Sequence, residues 1–149
     1  MTSDEPWRVA IRDVEPPAPL ANQALVSVVA FAVDHADAEL LFDLRESCIP
    51  GGDVAGVVLQ PAADGSGPPR GARVVGRVDE GAWAERVVVP SSALAVVPPE
   101  VTLVQAVASP DPQVIAPWHD LHGALEALQD QGISQKAVLC ISSGDVLQD

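Results

Sequence analysis

Valine-rich apolar segments, separated by glycine and proline, dominate the first hundred residues of the chain. Their pattern predicts a strand over Trp7–Val14, a largely buried strand over Asn22–Val33, and three strands between Ile49 and Pro90, followed by a short turn and strand. β-Branched side chains fit a pleated sheet, and glycines stand where a small barrel bends or two backbones approach. We therefore predict a mainly β fold of the α+β class, a partly open β-barrel with a few short helices.

Three other segments have the spacing of short helices. Asp34 is the predicted cap of the first, whose core-facing residues are Leu40, Leu41 and Leu44. The second starts within Glu100–Ala108. The third begins near Asp120 and stops at Gly132, with an apolar face made of Leu121, Ala124, Leu125 and Leu128. The proline-rich residues 109–117 are predicted to be a linker between the second and third helices.

Size and charge narrow the class of protein. A chain of 149 residues suits one domain with a real core. Its 8 Lys and Arg residues against 21 Asp and Glu give a net charge of −13, so we expect neither nucleic acid nor an acidic membrane surface as a partner. The first residues show no secretory signal or spanning segment, and we expect a cytoplasmic protein in which Cys48 and Cys140 are reduced.

Three motifs follow one another in a fixed order between Pro50 and Ala95. They read Pro-Gly-Gly-Asp-Val-Ala-Gly-Val-Val, Gly-Ala-Arg-Val-Val-Gly, and Gly-Ala-Trp-Ala-Glu-Arg-Val-Val-Val-Pro. This order resembles the GroES-like catalytic domain of the medium-chain dehydrogenases/reductases, and within them the zinc-free quinone oxidoreductases and enoyl reductases. Gln135–Leu139 is similar to the Gly-Lys-x-Val-Leu segment with which these enzymes return to the catalytic domain. The chain departs from the family pattern at Ala72, where those enzymes usually have Asp.

The second half of the family pattern is missing from this sequence. A full-length reductase continues into a glycine-rich phosphate turn and several βαβ units, but no G-x-G-x-x-G occurs here. The resemblance therefore implies a single GroES-like domain, formed by residues 1–108 and 113–149, from which the nucleotide-binding domain has been deleted. We expect no cofactor. We also expect no metal, because the histidines, cysteines and carboxylates lack ligand spacing.

Three ionisable residues near the old substrate cleft are the candidate catalytic groups: His35, Asp34 and Asp53. The pair Asp34-His35 stands where the resembling reductases carry Asn-Pro or Asn-Tyr, and a histidine beside a carboxylate is a suitable general acid or base near neutral pH. The alternative for the cluster of Asp34, His35 and Asp37 is a solvated helix cap. For Asp53, in the Gly-Gly-Asp turn, the alternative is a structural role.

Four further residues are candidates for substrate binding: Phe31, Trp83, Trp118 and His119. Trp83 is suited to stacking on an apolar ligand, and a rim or core position of the barrel explains it equally well. Trp118 and His119 follow the deletion point directly. They form a wall of the site, a dimer contact or solvated surface.

The leading hypothesis is a cofactor-independent enzyme that acts on an apolar, polyketide-like small molecule in secondary metabolism. Cyclisation, cycloaddition or isomerisation needs no redox partner, and folding a flexible substrate in a cleft accelerates an intramolecular reaction. The alternatives are a non-catalytic binding or scaffold protein, and one half of a split NADPH-dependent reductase. The surface uncovered by the deletion predicts a homodimer contact, a rebuilt loop or a bound apolar ligand.

Overall fold

A computed structural model describes residues 11–33, 49–108, 112–125 and 136–141, and one seven-stranded sheet organises them. The strands are β1 (Gln23–Val33), β2 (Asp53–Gln60), β3 (Arg73–Arg77), β4 (Arg86–Pro90), β5 (Leu94–Val96), β6 (Pro112–Pro117) and β7 (Lys136–Cys140). Short 3-10 turns precede β5 at Ser91–Ala93 and follow β6 at Trp118–Asp120. The mainly β fold predicted from the apolar pattern is confirmed.

Strand β1 is the central strand of the sheet, and it is long enough to pair with three other strands. β2 runs antiparallel along one side of it. On the other side, β4 pairs with its first half, from Gln23 to Ser27, and β7 pairs with its second half, from Ala30 to Val33. The order across the sheet is β5-β3-β2-β1-β7-β6, with β4 beside β1. The segment after residue 135 therefore joins the same sheet as the first strands.

Apolar side chains leave the sheet on both faces, because successive residues of a strand point in opposite directions. One core cluster contains Phe31 and Val33 of β1 together with Leu139, Trp83 and Leu125. The second contains Ala30 and Ala32 of β1 with Val138 and Cys140 of β7, and it is covered by a helix. Strands β1 and β7 thus bury both faces, which explains why their sequences are continuous apolar runs.

That covering helix is α1 (Leu103–Ala108), which packs on the second cluster through Leu103, Val104, Val107 and Ala108. Thr102 and Gln105 cap its start reciprocally: the Gln105 N–H donates to Thr102 Oγ1 at 3.0 Å, and the Thr102 N–H donates to Gln105 Oε1 at 2.9 Å. The guanidinium of Arg73 donates to the carbonyls of Pro98 and Val101 just before the helix. The helix predicted within Glu100–Ala108 is confirmed.

Two sequence predictions fail within the described residues. The strand predicted over Trp7–Val14 is wrong over residues 11–14, which have no secondary structure, and Ile11 and Val14 are more than half exposed. The three prolines among residues 15–19 remove backbone donors that a following ladder would need. Within the linker predicted over residues 109–117, Pro112–Pro117 form strand β6, parallel to β7, with a proline at each end, and residues 109–111 lie outside the described residues.

The third predicted helix is confirmed as far as the structure describes it. Residues 121–125 are helical, Ala124 and Leu125 are buried, and Leu121 packs against the first core cluster. Leu128 and Gly132 lie outside the described residues, as does the whole helix predicted after Asp34.

Candidate functional site

One end of the sheet brings together strand ends that carry two of the candidate residues, Phe31 on β1 and Asp53 on β2. Asp53, the first residue of β2, lies opposite Ala32 of β1 on one side and Arg77 of β3 on the other. Val33, the last residue of β1, lies opposite Ala137 near the start of β7. The sheet register therefore places the end of β1, the start of β2 and the end of β3 side by side. We call this region the β1 end.

An aromatic pair forms the apolar part of the β1 end. The rings of Phe31 and Trp83 are stacked, with centroids 5.6 Å apart and an interplanar angle of 22°. Phe31 is 1% exposed and Trp83 is 8% exposed, and both belong to the first core cluster. Such offset pairs contribute about 0.5–1.5 kcal/mol beyond the area they bury. The structure thus joins two candidate substrate-binding residues that stand far apart in the sequence.

A short loop fixes the position of Trp83. Residues 49–51 run beside residues 81–83, and three backbone N–H groups donate across the gap: Gly81 to Ile49 at 2.8 Å, Ala82 to Gly51 at 3.2 Å, and Trp83 to Pro50 at 3.0 Å. Gly51 has a φ of +102°, and a Cβ on it would lie 2.1 Å from Trp83 Cδ1. Only glycine lets the loop approach the indole this closely.

The indole nitrogen of Trp83 is a buried donor without an acceptor. Among the described residues, it is the single buried side-chain nitrogen or oxygen that lacks a hydrogen-bond partner. Leaving a buried donor unpaired costs about 1–3 kcal/mol, and native proteins contain few such groups. The Cβ position of Gly51 lies 2.4 Å from this nitrogen, so the donor is adjacent to loop 49–51.

Asp53 is the ionisable candidate that the structure describes at the β1 end. Its Oδ1 accepts a hydrogen bond from Arg77 Nη1 at 2.7 Å, and the side chain of Asp53 is 18% exposed while that of Arg77 is 76% exposed. The carboxylate is therefore part of a cross-strand ion pair rather than a lone turn residue. Sequence reasoning missed Arg77, because only the register of β2 against β3 shows that the two residues are opposite each other.

The remaining candidates differ in burial and in whether the structure describes them. Trp118 is half-buried and packs against the first core cluster, the cluster that contains Phe31 and Trp83, whereas His119 is exposed. They follow β6, whose last residue lies opposite Cys140, which in turn lies opposite Ala30 of β1. His119 therefore lies at the surface just past the end of the edge strand β6, near the level of Ala30 along β1. Asp34 and His35 lie outside the described residues; Val33 precedes them directly in the sequence.

In the described part of the chain, no group of three or more His, Cys, Asp and Glu residues comes together in a way that could hold a metal ion. Cys140 is buried and free, and burial raises the pKa of its thiol. A thiol that is both buried and reluctant to ionise is a core residue rather than a nucleophile.

No helix in the described ranges is long and apolar enough to cross a membrane.

Solved structures with the same fold are numerous and distant in sequence. Quinone oxidoreductase of Escherichia coli, complexed with NADPH, is 19% identical with a TM-score of 0.60, over 78% of this chain and 45% of that one. A probable oxidoreductase of Mycobacterium abscessus is 24% identical with a TM-score of 0.60, over 78% and 46%. CurK enoyl reductase is 15% identical with a TM-score of 0.59, over 83% and 53%. This chain thus spans about half the length of these structures.

Similarity in fold at such low identity does not assign the chain to a family, but a match to a family model does. No curated protein matches the sequence. The alcohol dehydrogenase GroES-like domain model matches residues 20–100, which is more than half of the chain and includes β1 to β5. The chain therefore belongs to the alcohol dehydrogenase GroES-like domain family, the catalytic-domain family of the medium-chain dehydrogenases/reductases.

Proposed function

We propose that this reductase-derived domain is a cofactor-independent enzyme that rearranges an apolar small molecule, as a cyclase or isomerase. The observation that carries the proposal is the composition of the β1 end. It joins a stacked aromatic pair, a buried indole N–H without an acceptor, and a carboxylate held by a guanidinium. Small-molecule sites combine an apolar wall with a few placed polar groups in this way.

The aromatic pair supports the binding step of this proposal. Because both rings are buried, the pair forms the apolar base beneath the proposed site rather than an exposed stacking surface. Holding the reacting atoms of an apolar, polyketide-like substrate together contributes much of the acceleration in an intramolecular reaction. The core around Phe31 and Trp83 is apolar, and none of the described residues in the core is polar or charged. Water is therefore excluded from the side of the site that these rings form.

Proton transfer falls to His35 and Asp34 in this proposal. A histidine that removes a proton from one carbon and returns it to another changes the connectivity of the substrate and leaves its mass unchanged. Asp53 is already paired with Arg77. We assign to this ion pair the electrostatic stabilisation of charge that develops on the substrate, rather than the carriage of a proton.

Independence from a nicotinamide cofactor is the part of the proposal drawn from the sequence. The 149 residues contain no G-x-G-x-x-G motif. The part of the chain after α1 also supports it, because β6 and β7 return to the sheet of β1 instead of starting a separate sheet. We extend this to a deletion between residues 108 and 113, which would leave one GroES-like domain.

An untargeted mass comparison of metabolites, from a strain with the gene and a strain without it, tests the proposed function. We expect the strain without the gene to accumulate an isomer of the normal product, with the same mass. A precursor that is one water heavier would indicate a dehydratase in place of a cyclase or isomerase. A precursor that differs by two hydrogens would contradict the proposal and favour a split reductase. No difference in small molecules would favour a scaffold protein.

A further inference from the structure

The segment ahead of β1, residues 11–20, exposes a group of apolar side chains. Four large apolar side chains are exposed in the described residues, and three of them belong to this segment: Ile11 at 54%, Val14 at 60% and Leu20 at 67%. The segment forms neither a helix nor a strand. Single exposed apolar side chains need no explanation, whereas a group of them marks an interaction surface. We call residues 11–20 the proline arm.

Three prolines, at positions 16, 17 and 19, restrict the backbone of the proline arm. The ring holds φ at about −65° in each of them, and a residue that precedes a proline is driven out of the helical region. Residues 15–19 are therefore confined to polyproline II or closely similar conformations. A segment that is already extended loses little conformational entropy when it binds a partner.

A polyproline II helix has three residues per turn, so residues three apart in the proline arm lie along one edge. One edge carries Val14, Pro17 and Leu20, and the next edge carries Pro16 and Pro19. Two of the three edges are thus mainly apolar. The proline arm presents an apolar ridge to solvent.

Hydrogen bonds hold the end of the proline arm against the sheet. The Leu20 N–H donates to Gln23 Oε1 at 2.9 Å, and the Gln23 N–H donates to the Leu20 carbonyl at 3.0 Å. The Asp64 N–H donates to the Ala21 carbonyl at 3.0 Å. This anchor lies at the start of β1, whose 11 residues span about 35 Å. The proline arm and the β1 end are therefore at opposite ends of β1.

We propose that the proline arm docks into a groove lined by Trp and Tyr side chains on another protein. Such grooves bind polyproline II segments with prolines three apart, as Pro16 and Pro19 are, because ring faces pack on the apolar ridge and ring donors bond its free carbonyls. Asp13 and Glu15 outnumber Arg12 in the arm, and the whole chain has a net charge of −13, so the rim of the groove is basic. This interaction goes beyond the proposed function and does not depend on it.

Photo-crosslinking with a matched control tests the proposal. p-Benzoylphenylalanine replaces Val14 in one full-length variant and Val96 of β5 in the other, because both valines are 60% exposed. The variants are irradiated in the cells that natively carry the gene, and the adducts are mapped by mass spectrometry. We expect position 14, and not position 96, to attach to a second protein beside its Trp or Tyr side chains.

Proline replacement then shows whether the captured protein recognises the ridge. The purified partner is titrated with the native chain, with Pro16→Ala/Pro19→Ala, and with Pro68→Ala/Pro69→Ala, which changes two prolines between β2 and β3. We expect only the first double replacement to weaken binding, by about tenfold or more, the loss of two central contacts. Equal affinities of the two double variants would overturn the proposal. So would the absence of an adduct at position 14, equal adducts at both positions, or an adduct there to lipid or to a second copy of this chain.

Discussion

Replacement of Gly51 by alanine tests how the β1 end is built. The new Cβ would lie 2.1 Å from Trp83 Cδ1 and 2.4 Å from Nε1, so the indole or loop 49–51 must move. Overpacking of this kind costs about 1–3 kcal/mol. The φ of +102° adds a backbone penalty of about 1–2 kcal/mol for a residue with a side chain. We expect Gly51→Ala to lower the free energy of unfolding by about 2–5 kcal/mol.

The chain offers a matched control for this substitution. Gly65 has a φ of +83°, but nothing lies within 4 Å of its Cβ position, so Gly65→Ala carries the backbone penalty without the collision. We expect Gly65→Ala to cost about 1–2 kcal/mol. The excess cost of Gly51→Ala, about 1–3 kcal/mol, then measures the contact with Trp83.

Urea unfolding followed by far-UV circular dichroism measures both variants. With a urea dependence of about 1–3 kcal/mol per molar, an excess of 2 kcal/mol moves the midpoint by about 1 M. In a Trp83→Ala background, the excess should vanish, because the colliding ring is gone. Equal destabilisation by the two glycine replacements in the native background would refute the placement of Trp83 against Gly51.

Two further predictions concern single side chains. Asp53→Asn should lower the free energy of unfolding by no more than about 1 kcal/mol, because the guanidinium of Arg77 is largely exposed and solvent screens such pairs. This cost, measured from urea midpoints, should shrink in 1 M salt. A loss of several kcal/mol would contradict the small contribution expected of an exposed ion pair. Burial raises the pKa of Cys140 above its ordinary value of 9.0, so its thiol favours folding below pH 9 and this contribution is lost as the pH rises and the unfolded thiol ionises. The fall in unfolding free energy between pH 8 and pH 10 should therefore be steeper in the native protein than in Cys140→Ala, and equal slopes would contradict the assignment.

The apolar pattern predicted those strands that bury at least one face. Asn22–Val33 was expected to be a buried strand, and β1 covers Gln23–Val33. Over β4, Val87 and Val89 are buried while Arg86 is exposed, the alternation expected of a strand with one buried face. In such strands the side-chain period and the burial agree, and sequence alone carries the information.

Strands that depend on pairing with a distant segment could not be predicted from the sequence pattern. Strand β6 begins and ends with proline, which is typical of linkers, and it exists because β7 lies beside it. Residues 11–14 belong to a predicted strand and form none, since a sequence pattern does not supply a pairing partner. A strand at an edge depends on its neighbour more than on its own residues.

In the candidate site, too, the sequence identified individual residues but not their partners. The residue types at Phe31, Trp83 and Asp53 were enough to select them as candidates. Their partners were not predictable. The Asp53–Arg77 ion pair depends on the register of β2 against β3, where a shift of one residue would reverse each side chain. The Phe31–Trp83 stack depends on the pairing of loop 49–51 with residues 81–83. The unpaired state of the Trp83 indole became visible only in three dimensions.

The reaction proposed for this GroES-like chain needs no nicotinamide nucleotide. The most direct test incubates the purified chain with a metabolite extract from the strain that lacks the gene, with and without added NADPH, and follows masses by liquid chromatography. We expect a product with the same mass as its precursor, formed at the same rate with and without NADPH. A product heavier by two hydrogens that forms only with NADPH would contradict this expectation, as would an extract that stays unchanged in both.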